Sequence, residues 1–152
     1  MRNTEISYEY IRGVAEREGC FTFSTNTRFL KDGTTIKRSV PAFSIGMHER
    51  DCPLLEKIRD RLKLKNKVYI YDQTRKDGFN RGRKAFLIVR EFISLKNIIV
   101  PLFYKKLHGN KKRQFESWID RIGSDPSVSE RFKFIYSLHQ YGHYDKNSKF
   151  ES

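Results

Sequence analysis

YEYIRGVAEREGCFTFS, residues 8–24, changes period halfway along. Ile11, Val14 and Ala15 recur at helical spacing, whereas Phe21, Thr22, Phe23 and Ser24 alternate as a strand does. The pattern predicts a helix over residues 7–17, a stop at Gly19 in a left-handed conformation, and a strand from Cys20 to Phe29. Glu16 and Glu18 stand just before that stop. Carboxylates are disfavoured there, because the helix dipole presents its negative end.

Working outward, LKDGTTIKR (30–38) holds a turn at Asp32-Gly33, and VPAFSIGM (40–47) alternates again. Phe43, Ile45 and Met47 share one side of it, and Ala42, Ser44 and Gly46 the other. Asp51 is an N-cap, Pro53 falls in the first turn, and Leu54, Leu55, Ile58 and Leu62 form a helical stripe. VYIYDQ and KAFLIVR predict two more strands. REFISLKNII is a helix stopped by Pro101, LFYKKLHGN a connector, KKRQFESWIDRI a helix, and SERFKFIYSLHQY a last helix before a frayed tail. The class is α+β, with a core domain over residues 1–123 followed by a C-terminal helix and flexible tail over 124–152.

Lys and Arg total 31 against 18 Asp and Glu, a net charge of +13 in 152 residues. That excess points to a polyanionic partner, nucleic acid before an anionic membrane surface. No apolar run approaches the roughly 20 residues that span a bilayer, and no basic amphipathic helix stands apart from the folded pattern. Two cysteines, Cys20 and Cys52, are too few for a disulfide framework and read as small buried residues. The expected setting is a reducing intracellular one, prokaryotic cytoplasm or organelle, rather than secretion.

YIRGVAEREGCF resembles the motif of the LAGLIDADG homing endonucleases, with residues 11–19 lying along its nine positions. PAFSIGMHERDCPLLEKIRDRL and LKNIIVPLFYKKLHGNKKRQFESWIDRI resemble later blocks of the same family, so the likeness spans residues 6–123. It implies an αββαββα fold with a saddle-shaped four-stranded antiparallel sheet and helices on its convex face. It also implies that two motif helices pair, one from each half of the active molecule. One motif copy implies a homodimer with a near-palindromic target in double-stranded DNA.

By resemblance Glu18 is the catalytic metal ligand, joined by the backbone carbonyl of Gly19, and Mg²⁺ is the cofactor, with Mn²⁺ an alternative and Ca²⁺ binding without supporting cleavage. Gly13 would let the paired helices approach, with Arg12, Glu16 and Arg17 at the same dimer interface. Glu16 would be a packing and capping acid. Arg17 departs from the family, which usually has a small residue there. A basic residue near Lys111 or Lys112 would stabilise charge on the phosphate. Met47 falls where some relatives position water with a polar group, a task left to His48 or to bound water alone.

In this reading one sheet face lies along the DNA major groove. Alternation places Thr22, Ser24, Asn26 and Arg28 of the first strand on that face. Arg38 and Ser44 of the second strand join them, as do Tyr69, Tyr71, Gln73 and Arg75 of the third. Lys84 weakly marks the even side of the fourth strand. The loop RKDGFNRGRK, with Arg81, Arg83 and Lys84, has five basic residues in ten and would grip phosphate. Trp118 and Phe115 read as core, and His139 and His143 lack a third metal ligand.

The activity implied is metal-dependent, site-specific double-strand cutting that promotes intron mobility. Two alternatives share the fold. One is a maturase that binds intron RNA, against which the retained Glu18 argues. The other is a DNA-binding relative that does not cut, which Arg17 and Met47 keep open.

Overall fold

The computed structural model describes residues 5–72, 82–146 and 149–151. Helix α1 (Tyr8–Glu18) passes into strand β1 (Gly19–Phe29) with no loop between them. Ser7 opens the helix, its hydroxyl accepting the Tyr10 N–H. At the other end Gly19 is extended, φ −82° and ψ 159°, not left-handed as expected. Glycine is needed there for close approach: a Cβ would lie 2.7 Å from the Ala15 carbonyl oxygen.

Strand β2 (Thr35–His48) is longer than the sequence pattern predicts, because every residue from Gly19 to Phe29 finds a partner between Ile45 and Thr35. The turn between them has Gly33 at φ +88°, and the Asp32 carboxylate accepts the Thr34 N–H. A short 3-10 turn and α2 (Cys52–Arg61) lead to β3 (Val68–Asp72) and β4 (Arg83–Val89). Asp51 occupies the N-cap of α2 without a side-chain capping bond. The sheet order is β1-β2-β4-β3, antiparallel throughout. The α+β class and the αββαββα order are both observed.

Pro101 does not stop its helix. The helical run is α3 (Phe92–Ser94), a π turn (Leu95–Ile99) and α4 (Val100–Phe103). Proline lacks an N–H and crowds the carbonyl four residues back. The wider turn, in which the Val100 N–H reaches the Leu95 carbonyl, lets the helix run on through that position. Helices α5 (Gly109–Ser124) and α6 (Glu130–Gln140) follow.

The tail expected to fray is docked. Tyr144 and Phe150 are both buried. The Tyr144 hydroxyl donates to the Lys96 carbonyl at 3.0 Å, and the Phe150 ring meets Tyr8 edge-on at 5.0 Å.

All helices that build the core pack on one face of the sheet. That face carries Phe43 and Ile45 of β2 and Ala85, Leu87 and Val89 of β4, all buried. Phe21 of β1 points the same way and is ringed by Phe43, Phe103, Phe115 and Trp118 at centroid separations of 5.1 to 5.5 Å. Such contacts contribute about 0.5–1.5 kcal/mol each beyond area burial. Among the described residues, no helix is long and apolar enough to cross a membrane.

His139 of α6 lies against Tyr104 at 5.2 Å and Phe115 at 6.4 Å. Burial pushes its pKa below 6.5, although Asp120, Glu116 and Asp145 pull the other way. The folded state therefore favours the neutral ring. Its contribution is intact above pH 6.5 and is lost as pH falls from there toward the folded value. Thermal unfolding at about pH 7.5 and about pH 5.5 should show a larger loss of stability on acidification in the wild type than in His139→Gln.

Candidate nucleic-acid interface and active site

The end of α1 is fixed by α5. The Glu16 carboxylate accepts the backbone N–H of His108, the N-cap of α5, at 2.7 Å. The Lys111 ammonium donates to the Gly19 carbonyl at 2.6 Å and to Gln114 Oε1 at 2.9 Å. The Trp118 indole N–H donates to the Thr22 carbonyl at 2.8 Å. A carboxylate is favoured at a helix N-terminus and an ammonium at a C-terminus, so the charges that α1 disfavours by itself are balanced across the two helices. Glu16 is thus a capping acid between helices.

Glu18 differs. It is exposed and has no hydrogen-bond or ion-pair partner among the described residues. Beside it stands the Gly19 carbonyl. One carboxylate and one carbonyl are hard oxygen donors of the kind that Mg²⁺, Mn²⁺ or Ca²⁺ takes. Two donor groups fall short of the roughly six oxygens such an ion takes, and among the described residues no group of three or more His, Cys, Asp or Glu could hold a metal ion.

The two lysines part company. Lys111 touches the Gly19 carbonyl, whereas Lys112 lines a cavity of about 120 Å³ with Glu116 and His139 on the far side of α5. Gln114, one helical turn after Lys111, went unnoticed in the sequence, although its spacing marks it as a neighbour.

The open face of α1 carries Tyr10, Gly13 and Arg17, all exposed. A Cβ on Gly13 would meet nothing within 4 Å. Arg12, expected at the dimer interface, is inside the protomer and only 3% exposed. Its guanidinium donates to the Leu102 carbonyl at 2.7 Å, and also to the Phe150 carbonyl and the Glu9 carboxylate. Its place one residue before Gly13 turns it to the side of the helix that the tail covers.

Strand register confirms the alternation reading of the sheet. Cys20 pairs with Ser44, Thr22 with Ala42, Asn26 with Arg38, and Arg28 with Ile36. The same face continues through Ser44 to Ile88, Gly46 to Phe86 and His48 to Lys84, then to Tyr69 and Tyr71. Among the described residues it bears no core helix. Thr22, Asn26, Arg28, Arg38, Tyr69 and Tyr71 are exposed, and Ser24, Ser44 and Lys84 half-buried. Cys20 is exposed on this face, not buried as expected, and Cys52 is half-buried.

Arg83 belongs to the opposite register from Lys84, and its guanidinium pairs with Glu49 at 2.8 Å. Gln73, Arg75 and Arg81 lie outside the described residues. Met47 packs toward the core, and His48 Nδ1 accepts the Arg50 N–H, so that nitrogen is unavailable to order water.

Phe86, which the sequence did not place, joins the expected Tyr69 and Tyr71 in an aromatic group on the β3–β4 side of the open face. Tyr69 stacks on Tyr71 at 6.1 Å, and Tyr71 meets Phe86 at 5.7 Å. Phe86 lies over Gly46, where a Cβ would come within 2.4 Å of the ring. AFLIV is apolar on both faces, which hid the orientation of Phe86.

A family profile described as "LAGLIDADG endonuclease" matches residues 11–122. The fold is similar to the solved structure of the I-LtrWI LAGLIDADG homing endonuclease bound to target DNA, with TM-score 0.61 and 22% identity over 97% of this chain and 46% of that one. It is also similar to the LAGLIDADG meganuclease I-CpaMI bound to uncleaved DNA, with TM-score 0.60 and 18% identity over 100% and 48%. A third similar structure is the homing endonuclease I-TnaI, with TM-score 0.58 and 20% identity over 97% and 93%. The chain spans about half the length of the first two. No curated protein sequence matches it.

Replacing Arg12 by Met would leave the buried Leu102 and Phe150 carbonyls unpaired, at about 1–3 kcal/mol each. Chemical denaturation should show Arg12→Met destabilised by about 2–6 kcal/mol. The exposed hairpin variant Arg28→Ala should stay within about 0.5 kcal/mol of wild type.

Proposed function

This chain belongs to the LAGLIDADG endonuclease family, and we propose that it is a homodimeric homing endonuclease, cutting both strands of a long pseudo-palindromic DNA site and so promoting intron mobility. The observation that carries the reading is the contrast between the two acids of the motif. Glu16 is bound to α5, while Glu18, beside the Gly19 carbonyl and Lys111, is exposed and without a partner among the described residues.

The dimer reading rests on the open Tyr10–Gly13–Arg17 face of α1, where helix axes can approach closely for want of a side chain at Gly13. Pairing there would bring two Glu18 carboxylates together, a costly arrangement of like charges at two helix C-termini. Glu18 and the Gly19 carbonyl from each protomer would hold divalent metal, Mg²⁺ in the reading favoured here. When bound, such ions activate water and stabilise the leaving oxygen of a phosphodiester.

Lys111 is held within reach of that corner and would release the Gly19 carbonyl to offset charge on the phosphate. Arg17, one turn beyond Gly13, faces the partner and would pair with a carboxylate of its motif helix. Thr22, Ser24, Asn26, Arg28, Arg38, Ser44, Tyr69, Tyr71 and Lys84 would read or grip the duplex. Bidentate Arg contacts typically carry about 1–3 kcal/mol of base discrimination.

One observation favours a second reading, a relative that binds DNA without cutting. Met47 turns inward, so its thioether does not order water as a polar group at that place would, and His48 has only Nε2 left for the task.

The test uses a duplex made by joining the flanks of the intron expected to carry the reading frame. With Mg²⁺ the wild type should cut both strands and Glu18→Gln should not. Lys111→Met should be slower by about 10²-fold, the scale for losing one group that stabilises transition-state charge. Lys112→Met should cut at the wild-type rate. Tight binding with no cutting under Mg²⁺ or Mn²⁺ would establish the second reading. Preference for folded intron RNA over the duplex would point to a maturase.

A further inference from the structure

An open groove of about 680 Å³ runs between the edge strand β1 and helix α5. Its helical wall is Asn110, Arg113, Gln114, Ser117 and Arg121. These recur at helical spacing and form one stripe along α5. Among the described residues no Asp or Glu lines the groove, whereas Glu116 faces the cavity on the other side of the helix. Arg113 has no carboxylate partner among the described residues. Arg121 is held with its guanidinium 4.1 Å above the Phe23 ring and pairs with Asp125.

The groove begins at Cys20, next to the residue whose carbonyl holds Lys111. It is not a slot for an added strand, because the indole N–H of Trp118 already occupies the Thr22 carbonyl of that edge.

Sheet width says what belongs there. Neighbouring strands lie about 4.8 Å apart, so the outer strands of a four-stranded sheet are about 14 Å apart. The DNA major groove is about 12 Å wide. A sheet seated in it must therefore overhang, and an edge strand meets the sugar–phosphate wall. Beside β1 that wall would find guanidinium, amide and hydroxyl groups. Planar guanidinium forks match phosphate oxygens in pairs.

We infer that the β1–α5 groove carries one sugar–phosphate strand of the duplex, with Arg113 and Arg121 as its phosphate-binding cations. The strand runs along α5 toward the Gly19–Lys111 corner. This rests on the reading of the sheet face as a DNA interface and assigns the backbone contacts that position it. Such contacts fix register without reading sequence.

Binding is measured by fluorescence anisotropy across a salt series, without Mg²⁺, on the joined-flank duplex and on a mixed-sequence duplex. Each neutralised phosphate contributes about 0.9 to the slope of log affinity against log salt. Arg113→Ala removes one phosphate contact from each protomer of the dimer, so it should flatten that slope by about 1.8 and weaken both duplexes by the same factor. Lys57→Ala, an exposed charge on α2, serves as the control for net charge.

A slope for Arg113→Ala equal to that of Lys57→Ala would overturn the groove assignment and leave the DNA reading standing. A loss confined to one base position of the joined-flank duplex would also overturn it, since that reports base readout. A wild type without salt-dependent binding to either duplex would overturn the DNA reading on which the assignment rests.

Discussion

The backbone at Gly19 is the constraint on which the rest depends. With a Cβ position only 2.7 Å from the Ala15 oxygen, only glycine lets the chain leave α1 and enter β1 directly. A loop there would add freedom between helix and sheet. Its absence fixes Glu18 at the sheet margin, sets the register that turns Phe21 into the core and Thr22 to the open face, and leaves the Gly19 carbonyl where Lys111 can reach it.

The electrostatics follow from that junction. Two carboxylates at the negative end of a helix make little sense for an isolated helix. They make sense when α5 presents its N-terminus to one of them and an ammonium to the helix end. Glu16 is then part of the fold, and Glu18 is left as the acid that the fold does not use. In the proposed dimer such a site would be completed by a second protomer, which is why the unfilled face at Gly13 matters as much as the carboxylate.

Much of this was legible in the sequence because it rests on periodicity. The alternation in β1 and β2 gave the faces correctly, since each strand has one apolar and one polar side. Phe86 was hidden because KAFLIVR is apolar on both sides, and its orientation is set by the empty place above Gly46, a tertiary fact. Pro101 misled because the rule for proline assumes four-residue spacing, and a π turn relaxes it. Arg12 and the tail misled together. A guanidinium at the second position of a surface motif reads as exposed until Phe150, far along the chain, supplies its carbonyl. The separation of Lys111 from Lys112 is a matter of helix phase, which adjacent lysines do not reveal until the helix start is known.

The central claim is that the exposed Gly13 face is a seam between two copies of this chain. Sedimentation of the wild type and of Gly13→Leu tests it most directly, because a Cβ at that position touches nothing within the protomer and the fold should survive. The account predicts a wild type with the mass of two chains and a Gly13→Leu variant with the mass of one and an unchanged circular dichroism spectrum. A wild type that stays single at every concentration, or a Gly13→Leu variant that dimerises as well as the wild type, would contradict it.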